Sequence, residues 1–410
     1  MIQGSEVGDT RRDIIEEYIR YASKHAPGWE EAHALIASMV VSHAIRDARI
    51  PWTRPQIFLM LVAPPGKGKK FVIDLAVSSI IPRGWASRVR DIRPIDMVST
   101  LTRSDLNATP ILIVEEFGYC LTSDYTAVHS FVLSAYCGEA WRYRSKAGTI
   151  VVPSEYMRLS MLVSMSPHIL SGLMPRRGKA SRFKHMATDI VSRMLITSGS
   201  LDLRRASDFV PESDLSSAVA LLRRSRVSHA RFEFDSSNTK NEILSYAEDA
   251  KRKHEGLIGM VFSRIHEHIV KLAAAYSASK HTTIIGPESA EFAIGMISRI
   301  LPDILSVADA TIRFVKGVEK AKDLRTKIRK ILKRSTGPMN LRDLYRRLGI
   351  TKEEILDTLK SIYGSSIRLI VDGRSTLVCD KAGTEYCARC PYKLKCYIQY
   401  HLRKMDEETS

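Results

Sequence analysis

The sequence predicts an α/β protein: a parallel-sheet core around a phosphate-binding loop, a helical lid, and a C-terminal helix-and-hairpin module ending in a cysteine-bound metal. Three observations predict it. Residues 61–70 read LVAPPGKGKK, an apolar run that turns into a loop of glycines and lysines. Residues 51–200 alternate short apolar runs (Ile57–Val62, Ile111–Val114, Leu159–Val163, Met194–Thr197) with helical stretches, the pattern of parallel strands joined by helices. Of the six cysteines, Cys379, Cys387, Cys390 and Cys396 crowd together at the end of the chain.

The elements follow in order. Residues 10–48 read as two helices punctuated by Pro27-Gly28. In the loop, Gly66 and Gly68 let backbone N–H groups close around phosphate oxygens. Lys67 lies between them, and Lys69, at the start of a helix, neutralises the terminal phosphates. Two positions depart from the usual pattern: Ala63 stands where a first glycine is common, and Lys70 where a hydroxyl normally holds Mg²⁺.

Ile111-Leu112-Ile113-Val114-Glu115-Glu116 is a buried central strand ending in two acids. The first acid would hold Mg²⁺, usually through water, and the second would orient the attacking water. A solvated strand end is the plainer reading. Arg142–Val152 forms two strand-like runs about Lys146-Ala147-Gly148, either a tip that touches a phosphate backbone through Lys146 or an ordinary surface turn. Met161–Pro167 is a further buried strand ending in hydroxyls, where Ser166 could position water or a phosphate. Arg193 sits in an apolar stretch after Asp189, as a structural ion pair or as a finger on transferring phosphate.

Composition narrows the class. The chain has 410 residues, long enough for two or three domains. Its 62 Lys and Arg against 45 Asp and Glu give a net charge of +17, which suits nucleic acid better than protein or sugar. The longest apolar run, Ile57–Ala63, is too short to span a membrane, and the N-terminus does not read as a signal peptide, so a cytoplasmic, nucleoid-associated protein is expected. Asn107, Asn238, Asn241, Asn340, Gln3, Gln56 and Gln399 are the only side-chain amides, a depletion that points to a hyperthermophile.

In this order the motifs resemble those of the AAA+ ATPases, specifically the minichromosome-maintenance-like helicases and the primase-helicase ATPases of plasmids and viruses, over roughly residues 50–310. The resemblance implies an AAA+ parallel-sheet core that binds ATP and Mg²⁺ and hydrolyses ATP between subunits of a ring, expected to be hexameric, on DNA and beside other replication proteins. It implies that Ser166 is the first sensor, Arg193 the finger given to a neighbouring subunit, and Lys146 the DNA-contacting hairpin tip. It further matches Ser263–Ala273 to the second sensor helix, whose Arg264 meets the γ-phosphate. An archaeal, viral or mobile-element source would fit.

The C-terminal part reads helix, helix, helix, hairpin. Asn340 caps a helix over Leu341–Leu348, Thr351 and Glu354 form a capping box for a helix over 352–363, and Asp372-Gly373 reads as a type I′ turn. That is a winged helix, a DNA module with Lys352 and Lys360 toward a groove and Arg374 at the wing tip, or else a protein-docking module. The four clustered cysteines supply a tetrahedral Zn²⁺ site or, less favoured, an iron–sulfur cluster. Cys120 and Cys137 read as buried apolar residues.

The expected organisation is a helical segment over 1–50, an ATPase core over 51–211, a lid over 212–320, a winged helix over 321–378 and a metal tail over 379–410. The expected function is that of a DNA-dependent ATPase of a replicative helicase. An initiator or loader that does not unwind is one alternative; a DNA-binding protein with a catalytically dead nucleotide fold, favoured by Lys70, is another.

Overall fold

The computed structural model describes residues 13–90, 92–93, 97, 100–101, 110–123, 125–145, 148–167, 189–202, 204, 206, 213–254, 256–335, 337–351, 355–356, 359, 367–372, 375–379, 390–392 and 396. The chain divides into two compact units, Met1–Phe314 and Val315–Ser410.

The first unit opens with helices α1 (Ile14–His25) and α2 (Glu30–Ala44). Asp13 caps α1, accepting from the N–H groups of Ile15 (3.1 Å) and Glu16 (3.2 Å). Residues Ala32–Ala44 of α2 are all buried, as expected of a helix that is apolar on every face. β1 (Phe58–Val62), α3 (Lys69–Ser79), β2 (Ala86–Val89) and β3 (Ile111–Val114) follow. Next come α4 (Phe117–Ser123), α5 (Tyr125–Cys137), the hairpin strands β4 (Trp141–Ser145) and β5 (Gly148–Val152), then β6 (Ser160–Met165) and β7 (Leu195–Ser198).

β2-β3-β6-β1-β7 form one sheet in that order, every pair parallel. β1, β3 and β6 are buried along their whole length, which accounts for the unbroken apolar sequences of β1 and β3; in β6 the two serines, Ser160 and Ser164, are buried with the apolar residues. β2, four partly exposed residues at the sheet edge, carries no apolar run and was not among the expected strands.

The remainder of the unit is helical: α6 (Ser213–Arg224), α7 (Ser237–Arg252), α8 (Gly256–Val261) and α9 (Ile265–Ser279), with the short parallel pair β8 (Glu233–Phe234) and β9 (Ile284–Ile285). α2 packs against α1, α6 and α9, so the N-terminal helices share one core with the sheet and the helices that follow it.

α10 (Pro287–Arg334) crosses the unit boundary. Ala290, Ala293, Ile297 and Ile300 belong to the first core; Leu324, Ile328 and Leu332 belong to the second. The second unit adds β10 (Met339–Asn340), α11 (Leu341–Leu348), β11 (Arg368–Asp372) and β12 (Ser375–Cys379), with strand order β10-β12-β11. Asn340 caps α11 by accepting from Arg342 N–H at 2.9 Å, and Gly349 closes it at φ 64°. Asp372 pairs with Ser375, so the two residues between the strands are 373 and 374; the sequence reading had placed Asp372-Gly373 there. Most of the expected helix over 352–363 lies outside the described residues.

Candidate active site

β1 ends at Val62, and α3 begins at Lys69. The loop between them reverses twice in the left-handed region, at Gly66 (φ 77°) and Gly68 (φ 88°), where a side chain would be strained. A Cβ at Gly68 would also come within 2.6 Å of Leu201 Cβ. The carbonyl of Lys67 accepts from the indole N–H of Trp29 (3.0 Å) and from Leu201 N–H (3.1 Å), fixing the loop from two sides. α3 has no side-chain cap and no acid in its first turn, leaving its leading N–H groups available to an anion.

Lys69 Nζ folds back into the loop. It donates to the carbonyls of Ala63 and Pro64 (3.0 Å for Pro64) and lies 3.4 Å from Ser166 Oγ. Burial holds the ammonium below its ordinary pKa, and Glu116 partly offsets this. Lys67 and Lys70 are exposed.

Ser166 follows β6 and Glu115-Glu116 follow β3, so loop, hydroxyl and acids stand at the carboxyl ends of three adjacent strands, where open parallel sheets bind ligands. Glu116 is exposed. Glu115 is engaged: Arg88 of β2 donates to its Oε1 at 2.8 Å and also pairs with Asp74. Carboxylates are the oxygen donors that Mg²⁺ takes beside substrate phosphates, so the pair fits such an ion despite Lys70.

Arg193 and Arg264 lie at the other end of the sheet. Both flank the ring of Tyr136, with guanidinium carbons 5.7 and 5.3 Å from its centroid, and that ring meets Phe58, the first residue of β1, at 5.6 Å. Lys69 follows the far end of β1. At about 3.3 Å per residue the strand separates the two clusters by roughly 13 Å.

Around Tyr136 the polar groups interlock. Glu267 accepts from Tyr136 Oη (2.8 Å), Thr53 Oγ1 (3.3 Å) and Arg264 (2.8 Å). Burial works against its charge, but the Tyr136 hydroxyl and Arg264 outweigh this and hold its pKa below the ordinary value. His268 lies 3.0 Å from the Ser192 carbonyl, and burial with Lys271 nearby lowers it to about 4. Arg193, only 8% exposed, donates to its own Asp189 carbonyl at 2.7 Å, while its buried Nε has no partner among the described residues.

Lys146 lies outside the described residues, although β4 and β5 pair antiparallel on either side of it, Ser145 opposite Gly148. Lys352, Lys360, Arg374 and Cys387 also lie outside them. Cys379 is buried, and Cys390 and Cys396 are partly exposed; none of the three is in a disulfide. Among the described residues no three His, Cys, Asp or Glu side chains gather as a metal site.

Sequence reasoning missed Trp29, Arg88, Tyr136 and Lys271. Only Trp29, beside the Pro-Gly break, carried a local signal; the others are ordinary residues made relevant by topology.

No protein-family model matches the chain, and no curated protein does. Among solved structures, a full-length MCM homolog from Methanopyrus kandleri aligns at 16% identity over 74% of this chain and 63% of that one, with a TM-score of 0.46. The chain thus spans less than two thirds of that protein's length. Among the described residues no helix is long and apolar enough to cross a membrane.

Proposed function

We propose that the chain is a DNA-dependent ATPase of the AAA+ type that works as a ring. The carrying observation is the convergence of Lys69, Ser166 and Glu116 at the ends of three adjacent parallel strands. Lys69 now satisfies loop carbonyls; phosphate oxygens would take over its ammonium and the free N–H groups of α3. Glu116 would orient the attacking water, and Glu115, released from Arg88, would hold Mg²⁺, which supplies charge neutralisation on the phosphates.

The placement of Arg193 and Arg264 supports a shared site. Both stand at the end of the strands away from Lys69, so within one subunit neither lies beside its phosphate loop. On this reading both arginines serve the neighbour's nucleotide.

DNA contact is assigned to Lys146 at the hairpin tip and, in the second unit, to Lys352, Lys360 and Arg374 of a winged helix. The four C-terminal cysteines are assigned to zinc. ATP turnover with and without DNA, measured beside strand displacement, tests the whole. Turnover with displacement supports a helicase and turnover alone a loader. Neither would favour the dead-fold reading, for which the exposed Lys70 in place of a hydroxyl is the specific observation.

A further inference from the structure

Two cavities, of about 600 and about 660 Å³, adjoin at Trp52, which borders both together with Arg49 and Ile50. We propose that this cleft binds single-stranded nucleic acid, with one base stacked on Trp52 and the flanking phosphates held by cations on either side. Its segment precedes β1, at the end of the strand away from the phosphate loop, so the proposal stands independently of the ATPase assignment.

Trp52 is the first support. It is 43% exposed and sits at φ 62°, a backbone conformation that bulky side chains rarely adopt. A tight turn holds it there: Thr53 N–H donates to the Pro51 carbonyl at 2.8 Å, and Ile50 bridges Thr53. The ring packs near Phe234 at 5.1 Å and His266 at 6.1 Å. Neither the strain nor the exposure of so large an aromatic is explained by the core.

The charges are the second support. Arg49 and Arg231 are partners in a parallel bridge, which brings two arginines to the same stretch of the cleft. Lys240 borders the same cavity, whose one acid, Glu233, pairs with Arg231 at 3.2 Å. Among the described residues Arg49 and Lys240 have no ion-pair partner. In the other cavity Arg46, Arg54 and Arg158 join Arg49 against Asp47 alone. That acid is already shared between Arg158 (3.2 Å) and Arg223. Burial and Arg223 lower the Arg46 guanidinium to about 10, in keeping with this crowding of cations.

The shape selects a strand over a mononucleotide. Each cavity alone is within the range of small-ligand sites, about 300–1,000 Å³. One nucleotide would occupy one side of Trp52 and leave the opposite cations unmatched. An aromatic platform in a basic groove is the sequence-tolerant way to hold a single strand.

The test uses an eight-residue oligothymidylate on the full chain, followed by tryptophan emission and by anisotropy of the labelled strand. Saturable quenching is expected, equal in the parent and in Lys69→Ala, with free thymidine monophosphate competing poorly at equal nucleotide concentration. Trp52→Ala and Trp52→Gly should each weaken binding roughly five-fold or more. Glycine accepts φ 62° without strain, so Trp52→Gly also guards against loss of fold. Trp52→Phe should lose the quench and keep the affinity. Arg49→Ala and Lys240→Ala should each flatten the salt dependence by roughly 0.7 in log K per log unit of salt. Parental affinity in both Trp52→Ala and Trp52→Gly would overturn the proposal. So would monophosphate competing as well as the oligomer, or a quench lost in Lys69→Ala.

Discussion

Lys271 holds its ammonium 3.7 Å from the centre of the Tyr136 ring, almost wholly buried at 1% exposure. Burial pushes its pKa down to about 7; Glu267 pulls it up, and Arg264 pushes it further down. The depressed pKa sets the sign. Between about 7 and the ordinary 10.5, the unfolded chain binds the proton and the folded chain does not, so stability should rise with pH through that window. The slope is at most about 1.4 kcal/mol per pH unit from this group. Lys271→Met should remove that slope and stabilise the protein at pH 7 and below. Denaturant titrations at pH 6.5 and 9.5 check it; identical pH dependence in both proteins would contradict the account.

Lys69→Ala should abolish ATP binding, because it removes the cation that faces the β- and γ-phosphates. Glu116→Gln should keep binding and lose turnover, by a factor of roughly 10² or more. Nucleotide affinity by calorimetry and phosphate release separate the two, and parental hydrolysis in both variants would disprove the site.

Arg193→Ala and Glu116→Gln should each be inactive alone and partly active when mixed. Their defects lie at opposite ends of the sheet's strands, so some mixed interfaces carry both functional groups. Arg264→Ala should complement Glu116→Gln in the same way. Absence of recovery, or a monomer by light scattering with ATP and DNA present, would remove the shared-site reading.

Gly28→Ala should destabilise the fold by roughly 2 kcal/mol or more and weaken nucleotide binding with it. Gly28 adopts φ 88°, and a Cβ there would collide with the Ser200 carbonyl. Displacing this turn also moves Trp29, whose indole holds the Lys67 carbonyl at 3.0 Å. Thermal melting with and without ATP measures both effects.

The central strands were legible because burial on both faces forces short apolar runs. Ile111–Val114 lies where expected, and Leu159–Val163 and Met194–Thr197 are displaced by only one or two residues, to Ser160–Met165 and Leu195–Ser198. Their order was not legible, since nothing in a single strand states its neighbours. Glycine spacing marked the loop between β1 and α3 because its two left-handed positions, Gly66 and Gly68, demand glycine. The ring of Tyr136 that gathers Arg193, Arg264 and Lys271 left no mark, because Tyr136, Arg193 and the Arg264–Lys271 segment are distant in sequence and meet only through packing.

α2 is buried on every face, yet part of its cover is α9, which begins at Ile265. During synthesis the chain between residues 44 and 265 must emerge before that cover exists. At about 5–20 residues per second this leaves part of the surface of an apolar helix uncovered for roughly 10–40 s. The nascent protein is therefore a natural client for chaperones that shield apolar segments. A fragment that stops short of Ile265 would keep the exposed surface permanently and should aggregate, so any trimmed version of the first unit has to retain α9.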